Sequence, residues 1–389
     1  MRIAFVVINA NRREGTSRAV VEVAERLGKK YEVVVYSRTA ENVDTSSIRW
    51  QQIHAPSWPD VAEFDGFRLL TEPQLRRESF DIIHSAGCNV RYADVYAIQT
   101  VHPAKMAATQ SLARNERIGA LRRFTRNLYD RRVVAEEKRC YRTRNERGII
   151  GYLPVSLGTM DELRGHYDLV DCPIEIIPNA ADTDLFHPRL RETARVPLRR
   201  ELNCDDSQVV FLFAGGEWRR KGLDLALMSL AHAHSMNSIL VIAGADPQAG
   251  EFRELARRLG IEDRVRWLGF RNDIARLYAA ADVFLFPSAY EAFSLATIEA
   301  ASTGLPVVMC DISGAHELLG DGTGGTIVNR DPRDLSKVID DYALSEELRL
   351  RRGIEARVKV EREFTWDLIA RKTECFYQKL LALRESAGR

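Results

Sequence analysis

The feature that most constrains this chain is an alternation of short apolar runs with longer stretches of helical periodicity. The runs Ile3–Ile8, Glu32–Tyr36, Asp81–His84, Val95–Val101, Gly148–Pro154 and Ile174–Ile177 read as strands. After a polar, Arg-rich connection through about Ser207 the series restarts, with Val209–Ala214, Ile239–Ala243, Val265–Leu268, Val283–Phe286, Pro306–Met309 and Thr326–Val328. Helical segments such as Gly222–His234 and Phe252–Leu259 lie between the strands and are long enough for right-handed crossovers. Strand and helix in alternation build parallel sheets, so two series predict two doubly wound α/β domains. Ligands of such sheets sit beyond the carboxyl ends of the strands. The expected architecture is therefore two domains facing a central cleft, with boundaries at 1–180 and 181–372. The tail "EREFTWDLIARKTECFYQKLLALRE" is helical, with Trp366, Ile369, Cys375 or Phe376, and Leu380 at helical spacing. It is expected to pack on the core and, from about 373 to 389, to cross back onto the first domain.

Composition fixes the setting more than the partner. A chain of 389 residues, 45% hydrophobic and 29% charged with net charge +1, is expected to be soluble, with no global charge to name a ligand. The first apolar run is too short for a signal-peptide core or a bilayer span. Six cysteines without a CxxC pair predict a cytoplasmic protein with reduced, mostly buried thiols. Charge is uneven, however: Lys105 to Arg147 holds 13 Lys and Arg against 5 Asp and Glu, with Leu121, Phe124 and Leu128 near helical spacing. One reading is a solvated helical face. The sharper one is a surface for an anionic acceptor or for the inner face of a membrane, where the protein would be peripheral. Nothing resembles a base-reading module, so nucleic acid is not an expected partner.

Two loops carry the chemistry. In "FLFPSAYEAFSLATIEAASTGLPVV" the strand ends at Pro287, a loop follows, and a helix starts near Phe293 or Ser294 and stops at Gly304. The free amides of a helix start favour an anion, and phosphate is the evident candidate. Glu299 lies roughly 7 Å along that helix at 1.5 Å per residue, and Glu291 stands on the loop before it. Two acceptor-only groups flanking an anion site suit a phosphate between polyhydroxylated rings, as in a nucleotide sugar. The second loop, "FAGGEWRRKGLDLAL", gathers Gly215, Gly216, Arg219, Arg220, Lys221 and Gly222 at the end of another strand, a composition that also suits phosphate. No GxGxxG follows the first strand and no GxxxxGK[ST] occurs, which weighs against dinucleotide or P-loop chemistry. Asp182 and Asp184 in "DTD" read as turn and capping residues rather than metal ligands.

With these residues in view, "EAFSLATIE", "LYAAADVFLFPS", "RRKG", "IPNAADTDLFHP" and the "VH" at Val101–His102 together resemble the retaining glycosyltransferases of family 4. Within them, "RRKGLDLAL" and "LPVSLGTMDELRGHY" look nearest the lipopolysaccharide-core glucosyltransferases. The resemblance implies the GT-B architecture and transfer of a sugar from a nucleoside diphosphate sugar to a hydroxyl of a glycan, glycolipid or small metabolite. It implies that Arg220 and Lys221 hold the donor diphosphate with the amides of Ser294 and Leu295, and that Ala292 and Phe293 belong to the same donor site. Glu299 would bind the ribose, Glu291 the donor sugar, and Arg271 would lie near the base. His102 would stand at the reacting sugar, and Gly15, in an "EG" where many members have a Gly pair, would face the diphosphate. No metal or other cofactor is expected, the nucleotide sugar being a co-substrate. An epimerase or phosphorylase on the same scaffold, and a catalytically silent nucleotide-sugar binder, remain the alternatives.

Overall fold

The computed structural model describes residues 1–113, 120–142, 146–147, 150–320 and 322–387, with side chains described throughout these except at 110–113, 120–123 and 387. The chain divides into two compact units, Met1–Asn179 with Trp366–Arg389, and Ala180–Thr365. The return to the first unit thus comes at Trp366, ahead of the expected 373. Phe364 and Thr365 still belong to the second unit, where the Phe364 carbonyl accepts the Ala181 amide at 3.0 Å.

The first unit is built on six parallel strands in the order Arg49–Gln52, Glu32–Ser37, Arg2–Val6, Ile82–Ala86, Val95–Ile98 and Gly151–Pro154. The edge strand Arg49–Gln52 leaves no apolar run to read, because three of the four residues of "RWQQ" are polar. Its register, Val34 to Arg49 through Ser37 to Gln52, comes from its neighbour. Ile174–Ile177, expected as a strand, makes only an isolated bridge from Ile174 to Tyr152. Its extended backbone still bonds the edge, Glu175 to Tyr152 at 3.1 Å and Ile177 to Pro154 at 3.0 Å. On the tail helix Trp366–Ala387, Phe376 is buried and Cys375 exposed, which settles the choice the spacing left open. That helix lies along Gly15–Gly28, fixed by Arg26 to Asp367 at 2.6 Å and by Lys30 and Tyr31 to Glu374.

The helix Ala120–Arg142 corrects the reading of the basic stretch as mainly a charged face. Val133, Cys140 and Tyr141 form its buried stripe, and Glu136 and Glu137 fall on the same stripe. Glu136 is wholly buried and takes Arg68 and Arg91 at 2.7 Å, Arg139 at 2.9 Å, and Arg132. Arg142 pairs with Asp168, and Arg147 meets Asp94 at 2.8 Å. Several of the arginines therefore neutralise internal acids. Arg114, Arg117 and Arg144 lie outside the described residues, as do the side chains of Leu121, Arg122 and Arg123.

The second unit repeats the plan with Val265–Gly269, Ser238–Ala243, Val209–Ala214, Val283–Phe286, Val307–Cys310 and Gly325–Val328, all parallel. In both units the first strand in sequence sits at the middle, beside the fourth, so each sheet has a switch point there. The amino end of the second sheet is closed by Asp282, buried and contacted by Arg191 at 3.0 Å and by Arg195 and Arg199 at 2.9 Å. No helix among the described residues is long and apolar enough to cross a membrane.

Candidate functional site

In the second unit the switch point lies between Val209–Ala214 and Val283–Phe286, and the loops leaving these two strands are the ones the sequence singled out. They are stitched together: Ala289 donates its amide to the Arg220 carbonyl at 2.8 Å, and the Ser288 hydroxyl donates to the same oxygen at 3.2 Å. Gly222, at φ +79°, permits this, since a Cβ there would stand 2.1 Å from the Pro287 carbonyl oxygen. Trp218 anchors the other end of the turn, its indole N–H donating to Gly215 O at 2.9 Å while its ring packs on Phe252 and Trp267. Arg219 leaves the site to pair with Glu251 at 2.8 Å.

Arg220 and Glu291 are brought into direct contact. The Arg220 Nη1 donates to Glu291 Oε1 at 2.7 Å and to the Tyr290 carbonyl at 2.6 Å. Its Nε and Nη2 donate to Glu217 at 2.8 and 3.2 Å. Burial opposes the charge on Arg220, but the two carboxylates outweigh it and hold the guanidinium above its ordinary value. The fork of Arg220 is therefore largely committed within the protein. Glu217 is a site residue that sequence reasoning passed over; it is a non-glycine residue at φ +50°, on a turn whose glycines and basic residues drew the reading to phosphate instead.

Lys221 differs. Its Nζ lies over the Phe286 ring, 5.1 Å from the centroid, and no carboxylate pairs with it among the described residues. Gly215, at φ +121°, leaves the room, since a Cβ there would come 2.5 Å from that Nζ. On the facing loop the helix Leu295–Ser302 begins after Ser294, whose side chain makes no capping bond. Among the described residues the amides of Ser294 and Leu295 have no acceptor. Ala292 and Phe293 are buried; the Phe293 ring packs edge-on against Phe364 at 5.4 Å, so their part is to seat the loop. Glu299 is buried on the second turn of the helix, with the Tyr278 hydroxyl 3.4 Å from Oε2. Arg271 stands two strands away, after the edge strand Val265–Gly269, tied to Asp273 at 2.7 Å and Glu201 at 2.6 Å. Asp182 accepts the amides of Asp184 and Leu185 at 3.1 and 3.0 Å, the turn duty expected of it. A cavity of about 360 Å³ in this unit lies at the other end of the sheet, around Val209, Asp282 and Pro306, away from these loops.

In the first unit Gly15 opens the helix that follows the central strand, with Asn11 Oδ1 accepting the amides of Arg13 and Glu14 at 2.9 Å just before it. His102 opens the helix His102–Ala113. Its Nδ1 lies 2.7 Å from Glu137 Oε1, and its amide donates to Glu137 Oε2 at 3.2 Å. Glu137 also accepts the Tyr167 hydroxyl at 2.6 Å. Sequence reasoning assigned no role to Glu137, although its place three to four residues from Val133, Cys140 and Tyr141 marked it as inward-facing.

Residues 195–359 match the family described as glycosyl transferases group 1. A protein named D-inositol 3-phosphate glycosyltransferase, from Corynebacterium kroppenstedtii, is 32% identical over 56% of this chain and 51% of its own length. The lipopolysaccharide glucosyltransferase WaaG of Escherichia coli is 29% identical over 43% of this chain and 45% of its own. The chain thus spans about half the length of these curated relatives. In structure it is similar to WaaG, with TM-score 0.78, 22% identity and coverage of 97% of this chain and 99% of that one. It is similar also to Anabaena HepE in complex with UDP and glucose, with TM-score 0.73, 19% identity and coverage of 98% and 100%. These structures share its fold, two Rossmann-like halves of the GT-B kind.

Proposed function

From the match of residues 195–359 to group 1 glycosyltransferases, we propose that this chain moves a sugar from a nucleoside diphosphate sugar to an acceptor hydroxyl, with retention of anomeric configuration and without a metal. One observation carries the reading: at a single switch point, a lysine and two helix-start amides that have no carboxylate partner or acceptor among the described residues stand on adjoining loops. This is a cationic and dipolar receptor for a diphosphate, and it supplies the charge that a bound cation supplies elsewhere. Lys221 and the amides of Ser294 and Leu295 take the phosphates. Arg220 presents its remaining Nη2 hydrogen and is oriented by Glu291 and Glu217. Glu299 accepts from the ribose, and Arg271 marks the side of the base. The leaving phosphate oxygen takes the acceptor's proton on the same face of the sugar, and His102 stands at the reacting ring. HepE was solved with UDP and with UDP-glucose, which makes UDP the first probe to use here.

The two acids of this loop and helix test the assignment. Glu299→Gln is expected to weaken UDP binding by about tenfold, roughly 1.4 kcal/mol, because the group touches the nucleotide. Glu291→Gln keeps an oxygen for the Arg220 bond and should leave UDP affinity within about twofold while blurring the choice among donor sugars. Calorimetric titration of both variants separates them, and equal loss of UDP binding in the two would refute the division of roles.

For the acceptor, a glycan, glycolipid or small metabolite, one observation favours a lipid-linked molecule at an anionic surface. Phe124 and Leu128 are 66% and 43% exposed, one turn apart on a basic helix, with Arg131, Lys105 and Met106 also exposed. Wild-type protein is expected to co-sediment with phosphatidylglycerol vesicles at low salt, and both high salt and Phe124→Ser with Leu128→Ser should abolish most of it. Absence of binding in the wild type would assign a soluble acceptor.

A further inference from the structure

His102 is held by a device that the sequence did not reveal. Neutral imidazole carries one N–H, and which nitrogen bears it is set by the hydrogen bond of the other. Nδ1 of His102 lies 2.7 Å from Glu137 Oε1. Glu137 is buried, with 1% of its surface exposed, and its two oxygens also meet the His102 amide at 3.2 Å and the Tyr167 hydroxyl at 2.6 Å. A backbone N–H can only donate. Burial and the neighbouring Glu137 raise the Tyr167 phenol far above its ordinary value, so it too keeps its proton and donates. Three donors on two oxygens are satisfied by a carboxylate.

The contrast with the preceding residue is informative. Glu136, equally buried, is met by four guanidiniums, as a structural counter-ion should be. Glu137 meets none of these; among the described residues its hydrogen-bond partners are the imidazole, the amide of the same histidine, and a phenol that fixes its other oxygen. The Tyr129 ring, 6.4 Å from the imidazole and edge-on to it, packs on the side. The carboxylate therefore holds ring and backbone of His102 together, at the first residue of a helix.

We infer that Glu137, oriented by Tyr167, is a positioning residue that fixes the Nδ1–H tautomer of His102 and so presents Nε2 as an acceptor for a substrate hydroxyl. The proton on Nδ1 follows from the contact with the Glu137 carboxylate; the use of Nε2 in catalysis rests on the glycosyltransferase reading above. With Nε2 unprotonated, the histidine receives a hydrogen bond from a sugar or acceptor O–H and does not donate one to a phosphate oxygen. An amide in place of the carboxylate could offer Nδ1 either an oxygen or an NH2, and would blur the choice.

Long-range 1H–15N correlation spectra of the full chain test this, with His102→Asn identifying the ring signals. The wild type is expected to show a protonated Nδ1 and an Nε2 with a free lone pair. Glu137→Leu should move His102 toward the Nε2–H form and lower turnover of UDP-glucose by about tenfold or more, with UDP affinity within about twofold. Glu137→Gln, isosteric and the variant to rely on if the leucine variant does not fold, should give a mixed tautomer and an intermediate rate. A wild-type His102 protonated at Nε2, or a tautomer and rate unchanged in Glu137→Gln, would overturn the inference. A correct tautomer in a wild-type protein that turns over no nucleotide sugar would uphold the positioning and sink the reaction assigned to the site instead.

Discussion

Replacing Glu136 with alanine is expected to destabilise the first unit by about 3–5 kcal/mol, because it leaves buried guanidiniums without their counter-ion. Arg68 is the one that suffers most: its side chain is only 6% exposed, and among the described residues the one acid it meets beyond Glu136 is Asp65, at 2.8 Å. Arg132 would have to share that same Asp65. The acid behaviour gives an independent sign. Burial pushes the Glu136 carboxyl up, but Arg91, Arg68 and Arg132 outweigh it and hold the group down at about 2, against an ordinary 4.5. A carboxyl depressed on folding contributes stability that is complete above its unfolded value and is lost as pH falls through its folded value. The contribution, roughly 3 kcal/mol at 1.36 kcal/mol per unit, should therefore be full near pH 6 and fade between about pH 5 and pH 2. Hydrogen exchange of strand amides in Ile82–Ala86 and Val95–Ile98 reads it locally. Protection should fall a hundredfold or more in the variant at pH 6, and the difference should shrink on acidification; equal protection in both proteins would show the cluster to be incidental.

Lys221→Ala is expected to slow glycosyl transfer by about 30- to 1,000-fold, equivalent to about 2–4 kcal/mol of transition-state stabilisation. In the proposed reaction charge accumulates on the diphosphate as the sugar leaves, and Lys221 is the cation of this loop whose head no carboxylate claims among the described residues. Arg220→Ala should also be slow, but for a mixed reason, since it frees Glu217 and Glu291 to repel the donor as well as removing a positive charge. Lys221→Arg is the informative companion. A guanidinium spreads its charge over a plane and cannot lie as Nζ does in the space left by Gly215, so recovery should be partial at best. Rates at saturating donor within twofold of wild type for Lys221→Ala would remove the residue from the site.

The parts of this molecule that are legible in sequence are those where one local rule decides. Both sheets follow from apolar runs buried on two faces, and the helix start at Ser294 follows from a strand ending at Pro287 ahead of an alanine-rich segment. Of the two phosphate-suited loops, one was visible from glycines and basic residues clustered at a strand end, the other from a helix start flanked by Glu291 and Glu299. The strand Arg49–Gln52 was not, because its pairing to Val34–Ser37 comes from the neighbour rather than from its own hydrophobicity. What composition conceals most is where charge is spent. Arg220 reads as a phosphate ligand with its whole fork free until Glu217 and Glu291 are seen dividing most of it, and the arginines after Lys105 read as a surface until Glu136 is found among them. An ion pair between residues far apart in sequence leaves no periodic signal on either partner. Glu137 lies 35 positions from His102, and only its place on the stripe with Val133 and Tyr141 hinted that it turns inward.

The most direct measurement is a proton NMR time course of the purified chain with UDP-, GDP- and ADP-activated sugars in EDTA, following the anomer first released by slow donor hydrolysis. A retaining transferase whose diphosphate charge is carried by Lys221 and the helix start should release free sugar with the donor's own anomeric configuration from at least one of them, and Lys221→Ala should suppress it. Release of the opposite anomer, turnover that returns only with magnesium or manganese, or no turnover of any donor would contradict the account.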